Sequence, residues 1–301
     1  MKHKQFEGVL AVFQTPFHED ESIDFATLER EIGWLFERGA DGVVMGMVSE
    51  TLRLSHAERK AVAAAVCRYT NNIGVSIMSA GAESSVVAVD LAQHAESVGA
   101  DAVMVIPPIS TASSEDELRR YYERIIQAIK IPVVVQDASG YVGRPMSIAM
   151  QAELFKTYAE RIMFKPEATP LGPRLSALHE ATGGRAIIFE GSGGVSLVDN
   201  FGRGVAGSMP GADLIDGIVA LWRALQSGDT TRINALSLPI TALNTLQPSL
   251  DAYLAVEKYL LVKQGVFKNQ VIRGPVGFSL DEHTRQEVDR LYGLMQAAAH
   301  A

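Results

Sequence analysis

Between residues 8 and 208, short apolar runs rich in β-branched side chains alternate with longer stretches in which apolar positions recur every three or four residues. The first pattern suits strands covered on both faces and the second suits amphipathic helices, so together they predict βα units around a parallel sheet. Strands are predicted at GVLAVFQT (8–15), DGVVMG (41–46), GVSIMSA (74–80), DAVMVI (101–106), PVVVQD (132–137), IMFK (162–165), AIIFEG (186–191) and GVAGSM (204–209). Eight strands with intervening helices predict a closed (β/α)8 TIM barrel in preference to an open doubly wound sheet. Asp24, Ser55 and Ser114 stand where helix N-caps belong, with Glu58 and Glu117 three residues beyond the two serines, and Gly39 and Gly99 follow helices as C-terminal caps. No GxGxxG follows the first strand, which weakens a dinucleotide-binding reading.

After Met209 the pattern becomes helical alone, through 212–228, 231–246, 252–265 and 281–300. The predicted organisation is a barrel over 1–228 and a helical extension over 229–301 packed on it, since no Gly-, Ser- or Pro-rich linker separates them.

Composition narrows the class. The 301 residues are 47% hydrophobic and 21% charged, ordinary for a globular chain, and the net charge of -8 with no long Lys/Arg run argues against a nucleic-acid partner. The single cysteine, Cys67, excludes an intrachain disulfide and a zinc-thiolate cluster. The N-terminus has two lysines, but its apolar run is short and broken by Gln14 and Pro16, so it reads as neither a signal peptide nor a membrane span. The expected location is the cytoplasm. Seven histidines, His3, His18, His56, His94, His179, His283 and His300, are scattered singly; neither a metal nor a cofactor is expected.

Lys165 is the residue that asks for an explanation. It ends an apolar run and is followed by Pro166, although lysine is costly to bury. In a barrel, the carboxyl ends of the strands form the active face. A lysine there against an apolar wall can attack a carbonyl and form a Schiff base; alternatively its ammonium pairs with Glu167 or Glu190.

Several segments occur in one order and spacing: TPF (15–17) followed by Asp24, GMVSETLRLSHAER (46–59), GADAVMVIPP (99–108), IPVVVQD (131–137), FKPEAT (164–169) and EGSGG (190–194). With them the chain resembles, almost end to end, the dihydrodipicolinate synthase and N-acetylneuraminate lyase superfamily. The most specific elements are Glu50, Leu54, Ser55, Glu58 and Arg59, together with the position of Lys165. The resemblance implies a class I lyase acting on a 2-oxo acid through a Schiff base on Lys165, assembled as a homotetramer, and the apolar helix at 252–265 is in keeping with a subunit interface.

The departures are equally specific. Met47 and Val48 stand where the family has two threonines, followed by Ser49; Gln136 stands where it has the catalytic tyrosine, followed by Asp137; Tyr141 aligns with an arginine of several members. The resemblance places Gly191, Ser192, Ala206 and Gly207 against the acid end of a substrate. Proton transfer then falls to Glu167, Asp137, Tyr141 or Glu190, with Glu167 favoured because two residues beyond Lys165 on a strand is the same face. The expected reaction is aldol cleavage or condensation of a pyruvate-type or 2-keto-3-deoxy sugar acid, or its dehydration, and not true dihydrodipicolinate synthesis. Two other readings stand beside it: Lys165 as an electrostatic anchor only, and a catalytically silent barrel that binds a 2-oxo acid or a protein partner.

Overall fold

The apolar runs form eight parallel strands that hydrogen-bond in chain order and close into a barrel, the eighth lying beside the first. In this computed structural model, which describes residues 5–301, they are β1 (Gly8–Val12), β2 (Gly42–Val44), β3 (Val75–Ser79), β4 (Ala102–Val105), β5 (Val133–Asp137), β6 (Ile162–Pro166), β7 (Ile187–Glu190) and β8 (Gly207–Ser208). Lys2, His3 and Lys4, named above, lie outside the described residues. The barrel helices are α1 (Phe25–Glu37), α2 (His56–Tyr69), α3 (Ser85–Ser97), α4 (Glu115–Ala128), α5 (Ile148–Tyr158), α6 (Leu171–Ala181), α7 (Leu197–Gly202) and α8 (Ile215–Ser227). The (β/α)8 barrel is followed by helices α9 (Thr230–Thr245), α10 (Leu250–Lys263) and α11 (Glu282–His300). No helix among the described residues is long and apolar enough to cross a membrane.

Capping follows local chemistry. The Asp24 carboxylate accepts from Thr27 N at 2.9 Å, and Ser55 and Glu58 close a reciprocal capping box. Ser114 accepts from Glu117 N at 3.3 Å, but the Glu117 carboxylate turns to Arg120, so this box stays half made. All the strands except β6 are shorter than expected, β1, β2 and β8 by three or more residues. β1 stops at Val12 although the buried run continues to Phe17, and β8 keeps two of the six predicted residues because the chain before it is still turning through Gly204, at φ 88°.

The two-residue period of each strand sorts side chains between two cores. Leu10, Val12, Val44, Ile77, Met104, Val134, Met163 and Phe189 fill the inside of the barrel, whereas Val9, Ala11, Val43, Val103, Val133, Val135, Ile162, Phe164 and Ile188 face the helices. This parity decides what reaches the mouth. Gln136 continues the inward series of Val134, and Lys165 and then Glu167 continue that of Met163; Asp137 and Glu190 fall on the opposite face.

The apolar side chains of α10 are buried within the chain itself: Ala252, Leu254, Val256, Leu260 and Leu261 have no exposed surface. The apolar excess of this helix is therefore largely accounted for by packing within the chain. Lys258, also fully buried, bonds the Glu50 carboxylate and the carbonyls of Thr15 (3.0 Å) and Val271 (2.6 Å), tying α10 to the turn after β2. Lys258→Met leaves the Glu50 charge buried without its cation. It is expected to lower unfolding free energy by about 3–5 kcal/mol, with Lys258→Met/Glu50→Gln recovering part of the loss; urea titration of the three chains checks this.

Candidate active site

At the carboxyl ends of the strands lies a pocket with about 430 Å³ of open space. Val12, Met47, Val48 and Met209 make it partly apolar, and Gln136, Lys165 and Glu167 bring the polar chemistry in from two adjacent strands. Gln136 and Lys165 are direct neighbours in the β5–β6 register, and Glu167 N prolongs the ladder by donating to Asp137 O at 3.0 Å.

The Lys165 side chain is 6% exposed, with Nζ 3.3 Å from Glu167 Oε1. Gln136 Nε2 donates to the other carboxylate oxygen at 2.6 Å. Burial pushes the Glu167 carboxyl above its ordinary range, against the opposing pull of the Lys165 ammonium and the Gln136 amide. Gly191 makes the arrangement possible. A Cβ there would lie 2.6 Å from Lys165 Cε and 2.8 Å from Glu167 Oε1, so glycine leaves the room in which the amine stands.

Tyr141 reaches across the mouth, its hydroxyl donating to Gly191 O at 3.4 Å and its ring edge-on to Tyr253 with centroids 5.8 Å apart. Burial, and after it the charge of Glu167, pushes the Tyr141 phenol far above its ordinary value; burial also pushes Tyr253 up to about 12. Both remain neutral hydrogen-bond donors. The assembly sets a primary amine beside a carboxyl that burial raises and two phenols, groups able to add to a carbonyl and to move a proton.

The structure thus gathers Met47, Val48, Gln136, Tyr141, Lys165, Glu167 and Gly191 around one space. Six other expected residues do not line it. Ser49 is turned inward, its hydroxyl donating to Phe13 O and accepting from Gly46 N. Asp137 points toward the helices and organises the loop after β5, accepting from Ser139 N, Ser139 Oγ and Met146 N and lying 3.4 Å from Arg174. Ser192 is held by Glu190, whose other oxygen accepts from Ser208 Oγ at 2.6 Å, so neither this serine nor this carboxylate is presented to the pocket. Ala206 and Gly207 sit too low: Ala206 N donates to Ile188 O, and a Cβ on Gly207 would be 2.1 Å from Gly8 O. The inward series 207, 209, 211 brings Met209 and Gly211 to the pocket instead.

Tyr253 and Glu257, from α10, were not anticipated as lining residues. A signal was present, because Glu257 and Lys258 interrupt an otherwise apolar helix and both are buried. Charges in such a setting require partners.

Comparison with known proteins identifies the family and agrees with the fold. The model of the dihydrodipicolinate synthetase family matches residues 5–293. The chain is 28% identical over 289 residues to the 4-hydroxy-tetrahydrodipicolinate synthase of Bartonella bacilliformis, covering 94% of this chain and 96% of that one. To the protein of the same name from Acidiphilium cryptum it is 37% identical over 150 residues, 50% of this chain and 51% of the other. The crystal structure of dihydrodipicolinate synthase from Rhodopseudomonas palustris superposes with a TM-score of 0.87 at 27% identity, over 96% of this chain and 97% of that one.

Proposed function

Since the chain belongs to the dihydrodipicolinate synthetase family and is a lyase, we propose that it acts on a 2-oxo acid through a Schiff base on Lys165. The neutral amine adds to the C2 carbonyl, and the carbinolamine loses the former carbonyl oxygen as water. The resulting iminium withdraws electrons from the bond at C3, and Glu167 carries protons between C3, the departing water and solvent. The observation that carries this reading is the buried Lys165 side chain 3.3 Å from the Glu167 carboxyl, which burial raises above its ordinary range.

The residues that differ from the family pattern support a changed reaction. Met47 and Val48 have no hydroxyl, and Gln136, whose amide is engaged by Glu167, does not titrate. Loss of a positioned acid/base group costs about 100-fold to 10,000-fold. Condensation of pyruvate with aspartate semialdehyde is therefore expected at least about 100-fold below that of a threonine- and tyrosine-bearing synthase, as a coupled assay would measure. Retro-aldol cleavage or dehydration of a 2-oxo acid is the proposed activity.

The proposal is tested by sodium borohydride reduction with pyruvate, 2-oxobutyrate and 2-oxoglutarate, followed by intact-mass measurement and peptide mapping. A reduced adduct on Lys165 is expected; an adduct on another lysine, or none, favours a silent binding barrel.

A further inference from the structure

Beneath α10, carboxyls from separate elements meet away from water. Glu31 of α1 is fully buried, Glu257 of α10 is 2% exposed, and Asp213, after β8, is 4% exposed. Gln14, at the end of the β1 run and also fully buried, joins the first two: its backbone N–H donates to Glu31 Oε1 at 2.8 Å, and its side-chain amide donates to Glu257 Oε2. Other oxygens of the cluster have no donor. Glu31 Oε2, Gln14 Oε1 and Asp213 Oδ2 are buried without a hydrogen-bond partner. The cation that faces Glu31 and Glu257 is Lys258, and its ammonium is already paired with Glu50. Such a cluster calls for protons, because an un-ionised carboxyl brings an O–H to a group that lacks donors and removes a charge that has no counter-ion.

We propose that Glu31, Asp213 and Glu257 form a pH-sensitive latch, which holds α10 across the mouth of the pocket while the acids keep their protons and lets the helix lift when they ionise. The helix is the part that moves, since α10 carries Glu257 and gives Leu250 and Tyr253 to the pocket wall, whereas Gln14 and Glu31 belong to the barrel. The other charged or titratable groups facing the cluster are Glu50, Arg53, Tyr253 and Tyr292. Arg53 is paired with Asp251, and burial pushes both phenols up to about 12, so these groups leave the three acids without a counter-ion. Burial raises Asp213 to about 7 and raises Glu31 and Glu257 well above their ordinary range. The folded chain therefore holds these protons more tightly than the unfolded one. The stabilisation is complete below the ordinary carboxylate values and is lost as pH rises through the folded ones, from about 7 upward. The consequence for activity, a mouth that loses its Tyr253 wall at alkaline pH, rests on the Schiff-base reading above; the latch itself does not.

The test is hydrogen–deuterium exchange of the intact protein at pH 6.5 and pH 9, read peptide by peptide and corrected for the intrinsic dependence of exchange on pH. A helix of 14 residues is marginal once undocked, so lifting of α10 registers as lost protection. Protection of 250–263 is expected to fall at least about tenfold, since an opening that releases one proton gains about tenfold for each pH unit above the folded value. Protection of α3, which carries none of the three acids, is expected to stay level. In Glu31→Gln/Asp213→Asn/Glu257→Gln, whose amides do not ionise, the fall in α10 is expected to shrink below about threefold. Protection of α10 that is independent of pH, a fall that survives the substitutions, or an equal fall in α3 would overturn the proposal. If the triple variant does not fold by circular dichroism, the three single variants decide, and a fall undiminished in all of them overturns it. No 2-oxo acid is present, so the result is independent of any adduct on Lys165, and pyruvate trapping run in parallel reports on that chemistry separately.

Discussion

Lys165→Ala is expected to abolish borohydride-trapped adducts and to slow exchange of the pyruvate methyl protons in D2O, followed by proton NMR, by at least about 10,000-fold. Exchange is the informative readout because it needs only the iminium–enamine step and no knowledge of a second substrate. Lys165→Arg separates this chemistry from an electrostatic role. It keeps a positive charge beside Glu167, yet a guanidinium does not lose its proton in a protein and forms no imine. Both variants should therefore be equally dead. If the arginine chain retained exchange while the alanine chain lost it, Lys165 would be an anchor for a carboxylate and the Schiff-base reading would fail. Neither substitution is expected to unfold the barrel, since without the ammonium Glu167 can take up a proton and remain hydrogen-bonded to Gln136.

The barrel was readable because its strands are covered on both faces and so announce themselves as continuous apolar runs. The same logic exposed Lys165, a cation ending such a run, and the two-residue period placed Glu167 with it. Parity also shows where the sequence reading went astray. Asp137 and Glu190 are acidic residues at strand ends, as active-site carboxylates would be, but each is one step out of phase with the inward series and serves the loops instead. For β8 the phase was right and the height wrong: Gly207 faces inward beside Gly8, well below the level that Gly211 reaches. Tyr253 and Glu257 were hidden for another reason. They arrive from α10, about ninety residues beyond Lys165, and only the packing of that helix over the mouth brings them to the pocket. Local pattern carries no record of such a meeting.

Glu167→Gln is expected to slow methyl-proton exchange by about 100-fold to 10,000-fold while leaving an adduct that borohydride still traps. The substitution keeps size and hydrogen-bonding capacity beside Gln136 and Lys165 but removes the group that gains and loses a proton. A purely structural carboxylate would behave differently, since its loss would reduce trapping and thermal stability together and leave the shape of the pH profile alone. The proton-transfer role predicts that the Glu167-dependent limb disappears from the exchange profile. Stability gives an independent check of sign. Burial raises the Glu167 carboxyl above its ordinary value of 4.5, so the folded chain holds this proton more tightly than the unfolded one. The associated stabilisation is complete below pH 4.5 and is lost as pH rises through the folded value. Wild type should lose more stability between pH 5 and pH 8 than Glu167→Gln does, because an amide carries no charge to desolvate. Unchanged exchange in the variant would move proton transfer to Tyr141 or to water, and an unchanged pH slope of stability would contradict the raised carboxyl itself.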